Sequence, residues 1–369
     1  MKLFSLLVIL LYSFLNSYTL SQDFEYNCNL ELSINGKDLI DNKYPLTRIS
    51  DIVIMPNNDI LILDMDEQTI FCFDSSGVFQ KKIGRHGKGP CEFLGPHALE
   101  LVDSNNILVA DNGNRRFSLI NIANSEVKIF PFPNEIKILR DFKIDSQRNI
   151  YVESIDIKFV NKVMKERTLL SKFNDELEFI TYIDSSDYYD GRVRLGPKKI
   201  LVRVPYPNKL YWNVLPNNTI VVADAHNDVI KFYSSDNNMK TVSLNLSKNI
   251  LNEKAKRHYY ENNIFLEDDG SWGKMVPDYV KKKLIFPKYL PQIYNIIVNP
   301  IDENILIQIT EYYKGEAEFI YCDFNGKLGK NRILKQKCFN QNTKIRGSYL
   351  YTYGELTDEF PVLYKFSIN

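Results

Sequence analysis

The side chains best suited to chemistry are four acids and one histidine. Asp64, Asp111, Glu153 and Asp224 each close an apolar run at a recurring point of the chain, and His97 follows Pro96 at the start of another run. Carboxylates gathered around one axis would hold a hard cation through their oxygens. A carboxylate repeated unit by unit would instead accept backbone N–H groups within its own turn, a common role for Asp. Recurrence favours the second reading, because a site breaks symmetry and a cap repeats it. The run Gly84-Arg-His-Gly-Lys-Gly89 offers backbone N–H groups to an anion, with Arg85 and Lys88 adding charge. Its glycine order matches neither the P-loop nor the dinucleotide fingerprint, and glycines that let the chain turn explain it more simply. The histidines are His86, His97, His226 and His258, and no G-x-S-x-G elbow occurs, so a Ser-His-Asp hydrolase is hard to assemble from them. The candidate ligand-binding residues are therefore Arg85, His86, Lys88, His97, Arg115 and His226.

A repeat positions these residues. Five eleven-residue frames align without gaps, at 54–64, 101–111, 143–153, 214–224 and 298–308. Each reads as a strand end, a Pro/Asn/Asp turn and an apolar strand closed by a polar residue. A third strand follows, as in Thr69-Ile-Phe-Cys-Phe-Asp74, then a fourth, as in Val78-Phe-Gln-Lys-Lys-Ile83. Four antiparallel strands at intervals of about 40–50 residues describe propeller blades. The expected fold class is all-β: a six-bladed β-propeller of four-stranded antiparallel blades, with seven as the alternative count. An N-terminal strand at 26–34 closes it by joining the C-terminal blade, which removes exposed sheet edges.

An insertion at 247–290, between blades 4 and 5, carries a helix capped by Ser247 and running to about Asn262. A second helix runs from Pro277 through Lys283. With Trp272 between them, the segment is either a lid or a satellite packed on the side. In a four-stranded blade the second-to-third and fourth-to-next-first connections share one face. The four acids, the 84–97 loop and the insertions thus collect at one loop-rich mouth, where ligands of repeat proteins usually bind. Tyr188, Tyr189, Tyr206 and Trp212 add aromatic surface there, suited to sugars or peptides.

Lys2, the apolar run 3–15 and Thr19-Leu20-Ser21 read as a signal peptide over 1–21. Residues 22–369 form one propeller domain with no membrane span after cleavage, exported to the periplasm or the extracellular space. A lipoprotein is not expected, because Cys28 follows Phe-Glu-Tyr-Asn and lacks the small residues a lipidation signal needs. The 46 basic and 46 acidic residues cancel, so nucleic acid is a poor partner. The five cysteines, Cys28, Cys72, Cys91, Cys322 and Cys338, contain no C-x-x-C pair, which leaves a structural zinc without support. Cys72 reads as a buried small hydrophobe, and Cys28 with Cys338 is the disulfide to test. A monomer is expected.

Gly87-Lys-Gly-Pro-Cys-Glu-Phe93, then Pro96, then Asn106-Ile-Leu-Val-Ala-Asp111 with Asn114 and Arg115, resembles the NHL-repeat pattern. The wider arrangement resembles the exported six-bladed propellers of Bacteroidetes, whose members bind or process very different things. Pro96-His97-Ala98-Leu99 also resembles the strand that supplies a zinc ligand in peptidyl-hydroxyglycine lyases. That family needs three such histidines, and the frame puts Ser50, Leu139, Leu210 and Tyr294 at the positions matching His97. A gluconolactonase-like site implies a Glu/Asn/Asp metal set, for which Glu153, Asp224 and Asn295 are weak candidates. No cofactor is expected, though a divalent cation is compatible with the mouth. The favoured function is non-catalytic binding of a ligand (peptide or sugar) or a protein partner at the loop-rich face. The alternatives are a metal-assisted lyase or lactonase at the same mouth, and a structural scaffold in a cell-envelope complex.

Overall fold

Pro-Asn-Asn and Asp-Ser turns fold each frame into a hairpin. Asn58 and Asn218 take φ of 68° and 63° there, a left-handed conformation that Asn tolerates better than most residues. The computed structural model describes residues 24–26, 28–36, 46–160, 163–190, 192–195, 200–236, 238–262, 265–266, 272–273, 276–301, 303–309, 317–334, 343–355 and 361–368. Residues 1–21, read above as a leader, and Cys338 of the proposed disulfide lie outside this set. Cys72, Cys91 and Cys322 are free thiols. Cys72 is buried in the apolar core, and that burial pushes its thiol up to about 11.

The strands form a ring of six sheets, numbered here as blades 1 to 6. Blade 1 comprises Ile49–Ile54, Ile60–Asp64, Thr69–Phe73 and Phe79–Ile83, and blade 2 comprises Pro96–Leu101, Asn106–Asp111, Arg116–Asn121 and Val127–Pro131. Blade 3 has Ile138–Ile144, the long hairpin Ile150–Val160 and Val163–Phe173, and Phe179–Ser185. Blade 4 has Leu210–Val214, Ile220–Asp224, Val229–Tyr233 and Met239–Ser243. Blade 5 has Asn295–Asn299, Asn304–Gln308, Ala317–Asp323 and Leu328–Leu334, with Phe24–Tyr26 added parallel at its edge. Blade 6 has Thr343–Arg346, Tyr349–Glu355 and Pro361–Ile368, and its outer strand is Cys28–Asn35, antiparallel to Pro361–Ile368.

The core lies between blades. Ile52, Ile62 and Phe71 of blade 1 pack on Tyr351, Leu363 and Ile34 of blade 6, and Phe117 and Ala110 of blade 2 pack on Phe142 and Val152 of blade 3. Each sheet buries both faces against its neighbours, so the second strands read as near-continuous apolar runs, such as Ile60–Asp64.

The segment between blades 3 and 4 and the insertion before blade 5 build an accessory sheet. Its strands are Arg192–Leu195, Ile200–Arg203, Phe265–Leu266 and Trp272–Gly273. Helix α1 spans Glu253–Asn262, so it starts later than Ser247. Ile250 forms an extended bridge with Tyr289, and Leu251 N–H donates to the Lys288 carbonyl, which keeps the preceding chain out of a helix. Asn252 takes the capping role, its Oδ1 accepting the Ala255 N–H at 2.9 Å. Helix α2 is short, Asp278–Lys281, after Pro277. Tyr259 of α1 and Val280 of α2 close a small separate core over Val202.

Candidate functional site

The first strand of every blade faces the central channel. In three blades that strand carries a bulge at the end nearest the loop-rich face. In blade 1, Ile49 pairs with Asp64 and Asp51 with Leu63, which leaves Ser50 unpaired. In blade 2, Pro96 pairs with Asp111 and Ala98 with Ala110, leaving His97. In blade 3, Leu139 pairs with Ser154 and Asp141 with Glu153, leaving Arg140. A bulge re-aims the extra side chain, and Ser50, His97 and Arg140 all line one cavity of about 410 Å³ at the channel mouth. Lys209 and Tyr211 from blade 4 and Asn295 from blade 5 complete its rim. A second cavity of about 470 Å³ opens the other end of the channel.

The floor between them is a closed set of ion pairs. Lys344 Nζ lies 2.8 Å from Asp51 Oδ1, and Lys143 Nζ lies 2.7 Å from Glu100 Oε1 and 3.2 Å from Asp141 Oδ2. Burial acts against the Asp51 charge, yet Lys344 and Lys143 hold its carboxyl below the usual range. Burial likewise opposes the Lys143 charge, and Asp141, Glu100 and Asp51 outweigh it and raise its pKa.

Nearer the mouth the charges are not so matched. Glu153 accepts a hydrogen bond from Trp212 Nε1–H at 2.8 Å. Burial, together with Asp141, pushes the Glu153 carboxyl up to about 7 against that bond and against Lys209 and Arg140. Burial and the Arg140 guanidinium hold the His97 imidazole below the usual histidine range, with Asp141 and Asp51 opposing. Lys209 Nζ sits 4.9 Å from the centroid of the Tyr211 ring. Among the described residues neither Arg140 nor Lys209 has an ion-pair partner.

Residues 41–119 match the model of the DUF5128 family, 6-bladed beta-propeller. With the six sheets already placed, that match decides the architecture. The chain is a six-bladed β-propeller. It is similar to a protein described as exported, from Bacteroides fragilis, at 13% identity and a TM-score of 0.52, over 94% of this chain and 96% of the other. A member of the DUF4221 family from Bacteroides vulgatus aligns at 12% identity and a TM-score of 0.54, over 95% and 99%. A virginiamycin B lyase from Staphylococcus aureus aligns at 10% identity and a TM-score of 0.45, over 92% and 99%. At these identities the likeness shows the fold alone. No curated protein matches the chain.

Within the propeller, three of the four recurring acids end their strands and cap the neighbouring turns. Asp64 accepts the N–H groups of Thr47, Arg48, Asp66 and Glu67, and Asp111 accepts those of Leu94, Gly95 and Asn114. Asp224 accepts the His226 N–H and an Asn208 amide N–H. Glu153 does not share this role. The register pairs Ile144 with Ile150, as it pairs Leu101 with Ile107, so Ser154 occupies the place of Asp111 and Glu153 lies one residue earlier. The gapless frame through 143–153 is thus out of step by one residue: the two turns are equally long, and the frame that matches 101–111 runs 144–154. That offset also misplaced the channel residue: Arg140, not Leu139, is the counterpart of His97.

The six sequence-derived ligand candidates do not assemble into one site. Only His97 lines the channel cavity. Arg85 pairs with Glu92 at 2.8 Å, and the His86 ring bonds the Gln68 side-chain oxygen. The Lys88 backbone carbonyl accepts from Arg116 at 2.9 Å. Arg115 donates to the Ile136 and Lys137 carbonyls, and the His226 ring contacts the Tyr206 carbonyl at 2.9 Å. The Arg85, His86, Arg115 and His226 side chains thus hold loop segments in place. Of the weak metal candidates, Glu153 and Asn295 share the cavity and Asp224 does not. No three His, Cys, Asp or Glu side chains among the described residues could hold a metal ion together. Arg140 and Lys209 were missed by the sequence reading. Starting the third frame at Ile144, so that Ile150 aligns with Ile107, is the one-residue shift that would have brought Arg140 into line.

Proposed function

We propose that this propeller is an exported, monomeric binding protein that takes a peptide, sugar or protein partner at its loop-rich face, with the channel mouth as the contact point. What supports the reading is the contrast between floor and rim. The floor charges satisfy one another, whereas Arg140 and Lys209 on the rim have no ion-pair partner among the described residues and open into a cavity of about 410 Å³. Pockets of about 300–1,000 Å³ suit small ligands. The apolar leader-like segment and the exported neighbour in Bacteroides fragilis support a periplasmic or extracellular location. No helix among the described residues is long and apolar enough to cross a membrane.

A lyase or lactonase at the same mouth is the second reading. Glu153, with its carboxyl near 7, shares the cavity with His97, which is the pairing general acid–base chemistry uses. A thermal-shift screen of sugars and short peptides separates the readings. A ligand held at a hundredfold excess over its Kd should raise the melting temperature by about 4 °C in the parent protein and leave Arg140→Glu unmoved. A screen without hits, or hits that shift both proteins equally, would remove the mouth as the binding site. Turnover of a hit that disappears in Glu153→Gln would establish the second reading.

A further inference from the structure

We propose that the channel mouth is built for a small organic monoanion, whose carboxylate sits between Arg140 and Lys209 while its uncharged body lies along Tyr211 and Trp212. This rests on the mouth being a binding site, as argued above. The first support is the bulge in blade 3, which turns a guanidinium toward the channel where a regular strand would not. The second is a set of guanidinium groups that interact with Arg140. In the accessory hairpin Arg192 lies directly opposite Arg203, a like-charge pairing that disfavours the hairpin. Neither side chain has an ion-pair partner among the described residues. Burial, with Arg140 and Arg192, lowers the pKa of Arg203 against the opposing pull of Glu166 and Tyr189, so the three guanidinium groups feel one another. A guanidinium fork matches a carboxylate edge, and a bound anion would relieve this repulsion.

The acids on the same wall select the charge of the ligand. Asp141 and Glu153 face the cavity, so a doubly charged phosphate meets more repulsion there than a monoanion does. The groups facing Glu153 are Asp141, Lys209, Arg140, Trp212 and Tyr189, and those facing His97 are Arg140, Asp141, Asp51 and Arg48. As pH falls through about 7, Glu153 takes up a proton and loses its repulsion of the ligand. Further acidification charges His97. Both changes strengthen anion binding, so affinity should fall about fivefold between pH 6 and pH 8, as expected if the bound anion raises the Glu153 pKa by a further unit.

The test uses the mature chain carrying Trp272→Phe, which leaves Trp212 as the sole tryptophan reporter of the cavity. Fluorescence titrations compare glucuronate with glucose, and N-acetyl-Ala-Ala bearing a free carboxylate with its amide. Inorganic phosphate is the competing anion. At pH 6 at least one acid should bind tenfold or more tightly than its uncharged match. Arg140→Gln and Lys209→Gln should each weaken it about tenfold, with Arg140→Lys recovering part of the loss. Melting temperatures confirm that each variant is folded. Which acid wins identifies a sugar acid or a peptide C-terminus as the source. Equal binding of acid and uncharged match, lost in Arg140→Glu, would overturn the carboxylate and keep the mouth as a binding site. Phosphate binding more tightly than both acids, or no binding of either acid, overturns the proposal. Acid binding that is unchanged in Arg140→Gln and Lys209→Gln overturns both the proposal and the mouth itself.

Discussion

Glu153 ties the pH response of the fold to its environment. Its carboxyl titrates near 7 in the folded chain, against about 4.3 for an unperturbed glutamate. The folded state therefore holds this proton more tightly than the unfolded state. Between about pH 4.5 and 7 the unfolded chain releases it first, so stability contributed by this residue is present at low pH and lost as pH rises to 7, then stays level. Glu153→Gln keeps an acceptor for Trp212 Nε1–H and removes the titration. The variant should match the parent near pH 4 and be more stable by about 3 kcal/mol at pH 8, read by urea unfolding at both pH values. A gap that does not change with pH would show that Glu153 titrates as an ordinary surface acid.

Hairpins and junctions are where the sequence spoke most clearly, because turn chemistry and strand alternation are local. Thr69–Phe73, Phe79–Ile83 and Val229–Tyr233 fall where the frames place the third and fourth strands. Gly84 opens the junction between blades 1 and 2 at φ of 89°, and an added methyl would meet the Phe93 ring. Gly84→Ala should therefore cost about 2–4 kcal/mol in thermal unfolding, by strain and by displacing a buried ring. An unchanged melting temperature would mean that the loop adapts freely. What the sequence did not reveal is non-local or one residue wide. The bulges at Ser50, His97 and Arg140 leave no mark on apolar periodicity, and the Asp-Ser pair, one position earlier in the blade 3 turn than in blade 2, drew the frame out of step and hid the true place of Glu153. Strand Ile200–Arg203 pairs with Phe265–Leu266 across the whole of blade 4 and helix α1, so no local pattern announces the accessory sheet. The channel charges come from different blades and meet only once the ring exists.

The ring as a whole depends on a strand from the far end of the chain. Cys28–Asn35 completes blade 6, and Ile34 joins Tyr351 and Leu363 in the core shared with blade 1. The same segment begins with Phe24–Tyr26 on the edge of blade 5, so it laces two blades together. Lys344 of blade 6 then reaches Asp51 of blade 1 across the channel floor, a contact that exists only while these blades stay together. Deleting residues 22–35 would expose the full Pro361–Ile368 edge and open the face holding Ile34, a loss on the order of 5 kcal/mol from apolar burial and ladder bonds. The unpaired edge would also recruit other chains. The shortened protein should melt about 7 °C lower in scanning calorimetry, as a loss of that size implies, and elute as aggregates on size exclusion. A peptide of residues 22–36 added in excess should restore both, because it supplies the missing strand without the covalent link. If the deletion leaves melting and elution unchanged, the three C-terminal strands hold the ring alone, and the lacing by the N-terminal segment contributes nothing to its stability.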